Sequence, residues 1–276
     1  MNPRIAIIAG AGQFPLHAAQ HAKQQGFGVV VIGMKGWADA SLAAAADAYE
    51  ELSIGQLGRL IERLAAHGVR QAIMAGKVTK EVLLDPRTEF DAEALGLLQQ
   101  VRTASVPALL GAIGDRLAKE GITLLDSSTF LKADLCPAGV LTIRKPTAVE
   151  EEDVRIGLQA ARRLAECDIG QTVVVKRRVI VAVEALEGTD AAIRRANGLA
   201  GDGLVVVKAS SPSQDRRFDL PVIGADTLTT LAQCGVGCLA VEAGTTLLLE
   251  RDALIAAANA ASLCIVGIAM PTALGS

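Results

Sequence analysis

Short β-branched apolar runs that alternate with stretches of helical spacing constrain this chain more than any other feature. Arg4–Ala9 is the first such run and ends in Gly10-Ala-Gly12; a helical stretch from Leu16 to Gln25 follows, then a second run at Val29–Ile32. Gln56–His67 puts apolar residues at 57, 60, 61 and 64, one face of a helix, and Gly68 stops it. Ala72–Ala75, closed by Gly76, and Ile122–Leu125 read as further buried strands, with helical stretches near 91–103 and 107–120 between them. Strands alternating with helices predict an α/β fold with a Rossmann-like parallel sheet over residues 1–133. At 276 residues the chain is long for one core, which predicts a second α/β domain over 134–276. The Pro, Gly and charge-rich stretch from Cys136-Pro-Ala-Gly139 to Arg144-Lys-Pro146 is the predicted linker.

Beyond that stretch, Val149-Glu-Glu-Glu-Asp153 opens a helix with its acids at the dipole-positive end, running to about Cys167. Thr172–Val175 and Val179–Val183 read as strands joined at Lys176-Arg-Arg178. A helix at 189–197 follows, with strands at Leu204–Val207 and Leu239–Glu242, a helix near 250–262 and a strand at Cys264–Ile268. The chain is 51% hydrophobic but only 3% aromatic, with a net charge of −3, so it offers neither a basic stripe nor stacking platforms for nucleic acid. Five scattered cysteines fit a reduced, cytoplasmic protein better than a disulfide framework. Residues 4–9 belong to a strand-and-glycine unit rather than a signal h-region, and no apolar run approaches the roughly 18 residues of a membrane span.

The Gly10-Ala-Gly12 turn could bring backbone N–H groups to a phosphate at a helix start, or merely seat the helix. Pro15 stands where a dinucleotide fingerprint needs its third glycine, and no acid follows Ile32-Gly-Met-Lys35, so NAD is disfavoured. His17 and His21 lack the companion Glu of a zinc helix, and Cys234 and Cys238 lack a second pair; a solvated face and buried hydrophobes account for them. In Glu187-Gly-Thr-Asp190, Thr189 or Asp190 is the expected N-cap of the next helix, and Gln171 of Asp168-Ile-Gly-Gln171 adds a neutral donor and acceptor. The stretch 208–224 concentrates what phosphoryl transfer needs. Lys208 with Arg216 or Arg217 could neutralise pyrophosphate oxygens, and Asp219 could hold Mg²⁺ or position water. A salt-bridged surface loop explains the same composition.

Taken together, Gly10–Pro15, Asp168-Ile-Gly-Gln171, Glu187-Gly-Thr-Asp190, the Lys208–Gly224 stretch and Glu242-Ala-Gly244 resemble the LpxI family of UDP-2,3-diacylglucosamine pyrophosphatases. The resemblance implies hydrolysis of a lipid-linked nucleotide sugar on the route to lipid A. By that resemblance water would attack the β-phosphorus and release UMP and the diacylated sugar 1-phosphate, with Mg²⁺ as cofactor. It makes Asp219 the catalytic and metal-binding residue, and sets Gly12, Gln13, Gly76, Gln171, Thr172, Thr189, Asp190, Lys208, Gln214 and Arg216 against substrate. The expected site lies between the two halves. A lipid substrate implies peripheral contact with the inner membrane surface; a homo-oligomer and a non-catalytic paralogue of altered specificity stay open. The chain departs from the family pattern at Ser211, where a lysine is usual, and at Ser105-Val-Pro107-Ala-Leu-Leu110, which lacks the usual acidic pair.

Overall fold

A computed structural model describes residues 2–78, 82, 85, 87–101, 106–211, 215–218 and 220–269, without the side chain of Val106. The chain divides into two compact units, one running through Lys132 and taking in residues 215–218, the other holding the remainder from Ala133.

In the first unit five parallel strands form a sheet. They are β1 (Arg4–Ala9), β2 (Gly28–Met34), β3 (Ala48–Leu52), β4 (Gln71–Ala75) and β5 (Thr123–Leu124), in the order β3-β2-β1-β4-β5. Helices α1 (Phe14–Gln24), α2 (Leu42–Ala45), α3 (Leu57–Ala66), α4 (Ala92–Gln100) and α5 (Val106–Lys119) supply the crossovers. The expected doubly wound arrangement is therefore present, and it follows from burial. Ile5–Ala9 are buried throughout β1, as parallel strands covered on both faces must be. The stripe Leu57, Leu60, Ile61 and Leu64 of α3 is buried in the same core as Ile8, Ile32 and Leu124.

Sequence reading passed over β3, because Ala-Tyr-Glu-Glu-Leu carries no apolar alternation. Its place at the sheet edge explains the composition: Glu50 pairs with Arg63 of α3 through two bonds of 2.5 and 2.6 Å and lies 2.5 Å from His67 Nε2. The Arg63 hydrogen bonds hold the Glu50 carboxyl at about 2, against the modest opposing effect of burial.

The second unit is α/β as expected, but its sheet is mixed. Its strands are β6 (Gly139–Val140), β7 (Thr172–Lys176), β8 (Val179–Val183), β9 (Leu204–Lys208), β10 (Val222–Ile223), β11 (Val236–Glu242), β12 (Leu247–Leu248) and β13 (Cys264–Ile268). Six form a sheet in the order β6-β13-β11-β9-β7-β8, and β10 pairs with β12 separately. The strands β9, β11 and β13 run parallel, whereas the β7–β8 hairpin and β6 add on antiparallel. Helices α6 (Ala148–Glu166), α7 (Thr189–Ala200), α8 (Ala225–Gln233) and α9 (Arg251–Ala260) accompany them.

Two local devices hold this unit. Thr147 and Glu150 form a reciprocal capping box that starts α6. Arg177 and Arg178 both take positive φ (49° and 67°) in the two-residue β7–β8 turn, whose inherent hand suits such dihedrals. Both turn N–H groups donate to the carboxylate of Asp153, a buried residue of α6.

The expected linker does not behave as one. Cys136 is buried in the second core and its N–H donates to Thr246 O at 2.8 Å. Val140 pairs with Val266, the Thr142 hydroxyl accepts from Ile265 N at 3.0 Å, and Arg144 pairs with Glu150 at 2.6 Å. Proline and glycine here interrupt the pattern of an edge strand rather than release the chain. The helix expected to start at 107 starts at Val106, so residues 106–110 of the segment lacking the acidic pair open α5. Among the described residues, no helix is long and apolar enough to cross a membrane.

The Glu50 cluster yields a pH-dependent stability. A carboxyl held below its unfolded value stabilises the fold above about pH 4.5, and that contribution is lost as pH falls towards about 2. Glu50→Gln should cost about 1 kcal/mol at neutral pH, allowing for its partial exposure, and the difference from wild type should close on acidification. Denaturant unfolding at pH 7 and pH 3 measures it; a gap that stays constant would contradict the assignment.

Candidate active site

Strand ends bring the chemistry of the second unit together. Thr172 opens β7 and Lys208 closes β9; the two strands are antiparallel, and these residues are register partners. Lys208 is only 8% exposed, yet its Nζ donates to Thr189 Oγ1 at 2.9 Å. Thr189 Oγ1 in turn donates to Glu184 Oε1 at 2.9 Å, and Thr172 Oγ1 lies 3.4 Å from it. Glu184 follows β8 directly, and its N–H donates to Thr172 O at 2.8 Å. Burial pushes the Glu184 carboxyl up, but the Lys208 cation and the hydroxyls of Thr172 and Thr189 outweigh it, and the group sits below its ordinary value.

This arrangement corrects the expected cap. The N-cap of α7 is Gly188, at φ 84°, with no side-chain cap bond; Thr189 is the first helical residue and spends its hydroxyl on Glu184. Asp190 lies in the first turn, its Oδ1 buried without a hydrogen-bond partner among the described residues. Gly170, next to Gln171, is required sterically, because a Cβ there would come within 2.1 Å of Glu184 O. Gln171 O accepts from Ala209 N at 2.9 Å, fixing the chain just beyond Lys208. One residue further, Ser210 N donates to Glu242 Oε2 at 2.9 Å, while Glu242 Oε1 pairs with Arg162 at 2.8 Å. Glu242 is fully buried, and each of its two oxygens is answered by a protein donor. The motifs around Gln171, Thr189, Lys208 and Glu242, scattered over some 75 residues, therefore meet in one unit.

In the first unit, Gly12 and Gln13 are exposed and follow β1, and Gly76 follows β4. Ala11 and Lys77 exchange backbone hydrogen bonds of 2.9 Å, so the two loops are joined. Gly76 has φ 91°, and a Cβ there would come within 2.7 Å of Ala11 O. Strands β1 and β4 lie side by side where the strand order reverses, the position at which doubly wound sheets take ligands.

Arg216 also belongs to this unit. Its Nε stands 2.9 Å from Asp126 Oδ2, and Nη2 lies 3.3 Å from Ser128 Oγ. Ser127 ties the same segment down: its N–H donates to Arg216 O at 3.0 Å, and its Oγ lies 2.7 Å from Met74 O and 2.9 Å from Arg217 O, sharing one proton between them. Arg217 is engaged inside the segment, by Asp215 at 2.6 Å and over the Phe218 ring at 4.8 Å. Of the two arginines, Arg216 is the one held at the end of a parallel strand, after β5.

Asp219 and Gln214 lie outside the described residues. Among the described residues, no group of three or more His, Cys, Asp or Glu side chains could hold a metal ion. A Mg²⁺ site needs only one or two carboxylates, together with substrate phosphates. Asp190 Oδ1 is a buried carboxylate oxygen that no donor satisfies among the described residues. Cys234 and Cys238 are both buried and unbridged.

Sequence reasoning passed over Glu184 and Asp126. A signal was available for both, since Glu184 directly follows the strand Val179–Val183 and Asp126 stands two residues after Thr123–Leu124. Side chains at such ends face a ligand edge.

Comparison with known proteins identifies the family. Family models for the LpxI N-terminal domain and the LpxI C-terminal domain match residues 4–133 and 137–266. The UDP-2,3-diacylglucosamine pyrophosphatase LpxI of Caulobacter vibrioides is 33% identical over 283 residues, covering 96% of this chain and 97% of that protein. Solved structures resemble it only weakly. A UDP-glucose-4-epimerase from Stenotrophomonas maltophila is 23% identical with a TM-score of 0.28, covering 44% of this chain and 34% of that one. A phosphoribosylglycinamide synthetase from Anaerococcus prevotii is 13% identical with a TM-score of 0.29, covering 72% and 43%. Likeness at that level carries no argument. With both domain models matched in order along the chain, and a relative aligned over almost its whole length, the chain belongs to the LpxI family.

Proposed function

We infer that this chain is a UDP-2,3-diacylglucosamine pyrophosphatase, a hydrolase of lipid A synthesis. The observation that carries the reading is the end-to-end match to the Caulobacter enzyme; in this chain the segments around Thr189 and Lys208 assemble a buried cation beside a helix start. A non-catalytic or altered-specificity paralogue is not favoured by a match that spans both domains.

Within this reading Lys208 takes a phosphate oxygen. An ammonium carries three N–H groups, and among the described residues only Thr189 receives one, which leaves up to two for substrate. Its burial strengthens that contact, because a charge pair screened from water is worth more than an exposed one. Thr172, Thr189 and Asp190 lie at the amide-rich start of α7, which favours an anionic group. Gln171 adds a neutral donor and acceptor on the same side of the sheet end. In the first unit we propose that Gly12, Gln13 and Gly76 admit substrate to backbone N–H groups, and that Arg216 offers its guanidinium fork to phosphate while Asp126 aims it. Gln214 is proposed as a further substrate contact. Asp219 is proposed to orient the attacking water towards the β-phosphorus, with UMP leaving and the sugar 1-phosphate retaining the lipid. Mg²⁺, held by Asp219 and substrate oxygens, would neutralise charge building on the phosphates.

The reaction is tested with isotopically labelled water. The new oxygen should appear on the lipid phosphate; label on UMP would mean attack at the other phosphorus and would refute the mechanism. Chelation with EDTA should abolish turnover and added Mg²⁺ should restore it, whereas full activity in EDTA would remove the metal from the scheme.

Asp219→Asn should lower kcat by at least about 100-fold with little change in substrate affinity, as expected for a group that acts on the transition state. Asp226 is the control. It sits in the first turn of α8, whose N-cap is Gly224. Asp226→Asn should cost no more than about 1 kcal/mol of stability and leave turnover near wild type. Two mutants equally active would show that Asp219 is not the catalytic carboxylate.

A further inference from the structure

Glu184 is the side chain in the second unit that the proposed chemistry leaves without a task. It is largely buried, and its Oε2 has no hydrogen-bond partner among the described residues. Its Oε1 accepts the hydroxyl proton of Thr189, and the Thr189 oxygen then accepts from Lys208 Nζ, both at 2.9 Å. The direction of this relay follows from its two ends. An ammonium can only donate and a carboxylate can only accept, so the hydroxyl between them has one consistent orientation. No direct ion pair joins Glu184 to Lys208; the carboxylate reaches the cation through Thr189.

We propose that Glu184 is a positioning residue: by fixing the Thr189 hydroxyl it aims the Lys208 ammonium at the substrate phosphate. The proposal rests on the reading above that Lys208 holds a phosphate oxygen. It explains why an acid stands where β8 meets the Glu187-Gly-Thr-Asp190 segment. A lysine stem has four rotatable carbons, and an unfixed ammonium would sample several orientations. The relay removes that freedom while leaving two N–H groups for the ligand.

Glu184→Gln keeps the size of the side chain but breaks the logic of the relay. The amide NH₂ can turn to Thr189, whose own proton then points at Lys208. The test is a double-mutant cycle with Lys208→Met, read as kcat and KM for UDP-2,3-diacylglucosamine under single-turnover conditions, which keep slow variants measurable. Glu184→Gln should lower kcat/KM about 10-fold on the wild-type background and less than about 2-fold on the Lys208→Met background. Equal losses on both backgrounds would mean that Glu184 acts on the fold or on another group, and would overturn the inference. So would an unchanged rate on the wild-type background. Should Lys208→Met itself turn over like wild type, the phosphate-holding role of Lys208 falls, and this inference with it. If Glu184→Gln does not fold, Glu184→Asp takes its place in the cycle. Shortening the arm by one methylene stretches the link to Thr189, and the same loss on one background and not the other is expected.

Discussion

A lysine ammonium at the end of a buried strand needs acceptors in place of the water it gives up. In this protein they are Thr189 and, through it, Glu184, and much of the second unit is arranged to supply them. The β7–β8 hairpin joins the sheet antiparallel beside β9, which puts Thr172 next to Lys208 and delivers Glu184 just past the end of β8. The tight β7–β8 turn that makes this possible uses two arginines in left-handed conformation, and their N–H groups are answered by Asp153 from α6. A buried carboxylate far from the chemistry therefore sets the hairpin that places the chemistry.

A second buried acid works on the other side of Lys208. Glu242 ends β11 and takes the N–H of Ser210 and the guanidinium of Arg162. The chain leaving β9 is thus gripped at Ala209 by Gln171 O and at Ser210 by Glu242. The segment that follows reappears in the first unit, where Arg216, Ser127, Asp126 and Phe218 fasten it. A stretch rich in charge is held by specific bonds at both of its described ends. That differs from a solvated surface loop, in which ion pairs contribute little.

The first unit was the more legible of the two. Its strands β1, β2 and β4 and its helix α3 follow from apolar runs and a 3.6-residue stripe, which are local properties of the chain. The strand β3 was not legible, because an edge strand is half solvated and Tyr49-Glu-Glu51 needs no alternation there. In the second unit the elements were found within a few residues, yet their relations were not. The stretch Cys136–Pro146 looked like a linker because proline and glycine break periodicity in an edge strand and in a linker alike; only its bonds to Thr246, Val266 and Glu150 separate the two.

The sequence by itself determined the alternation of strands and helices, the glycine turn after β1, the candidate motifs and, by resemblance, the family. Each of these is written in spacing or in short runs of residues. Tertiary structure alone decided that Thr189 gives its hydroxyl to Glu184 instead of capping α7, that Asp126 takes Arg216, and that Glu242 holds Ser210. Those partners lie between 5 and 90 residues apart in the chain. Which acid meets which cation depends on the order and direction in which strands join a sheet. That order is set by packing over the whole unit, and no local pattern of residues encodes it.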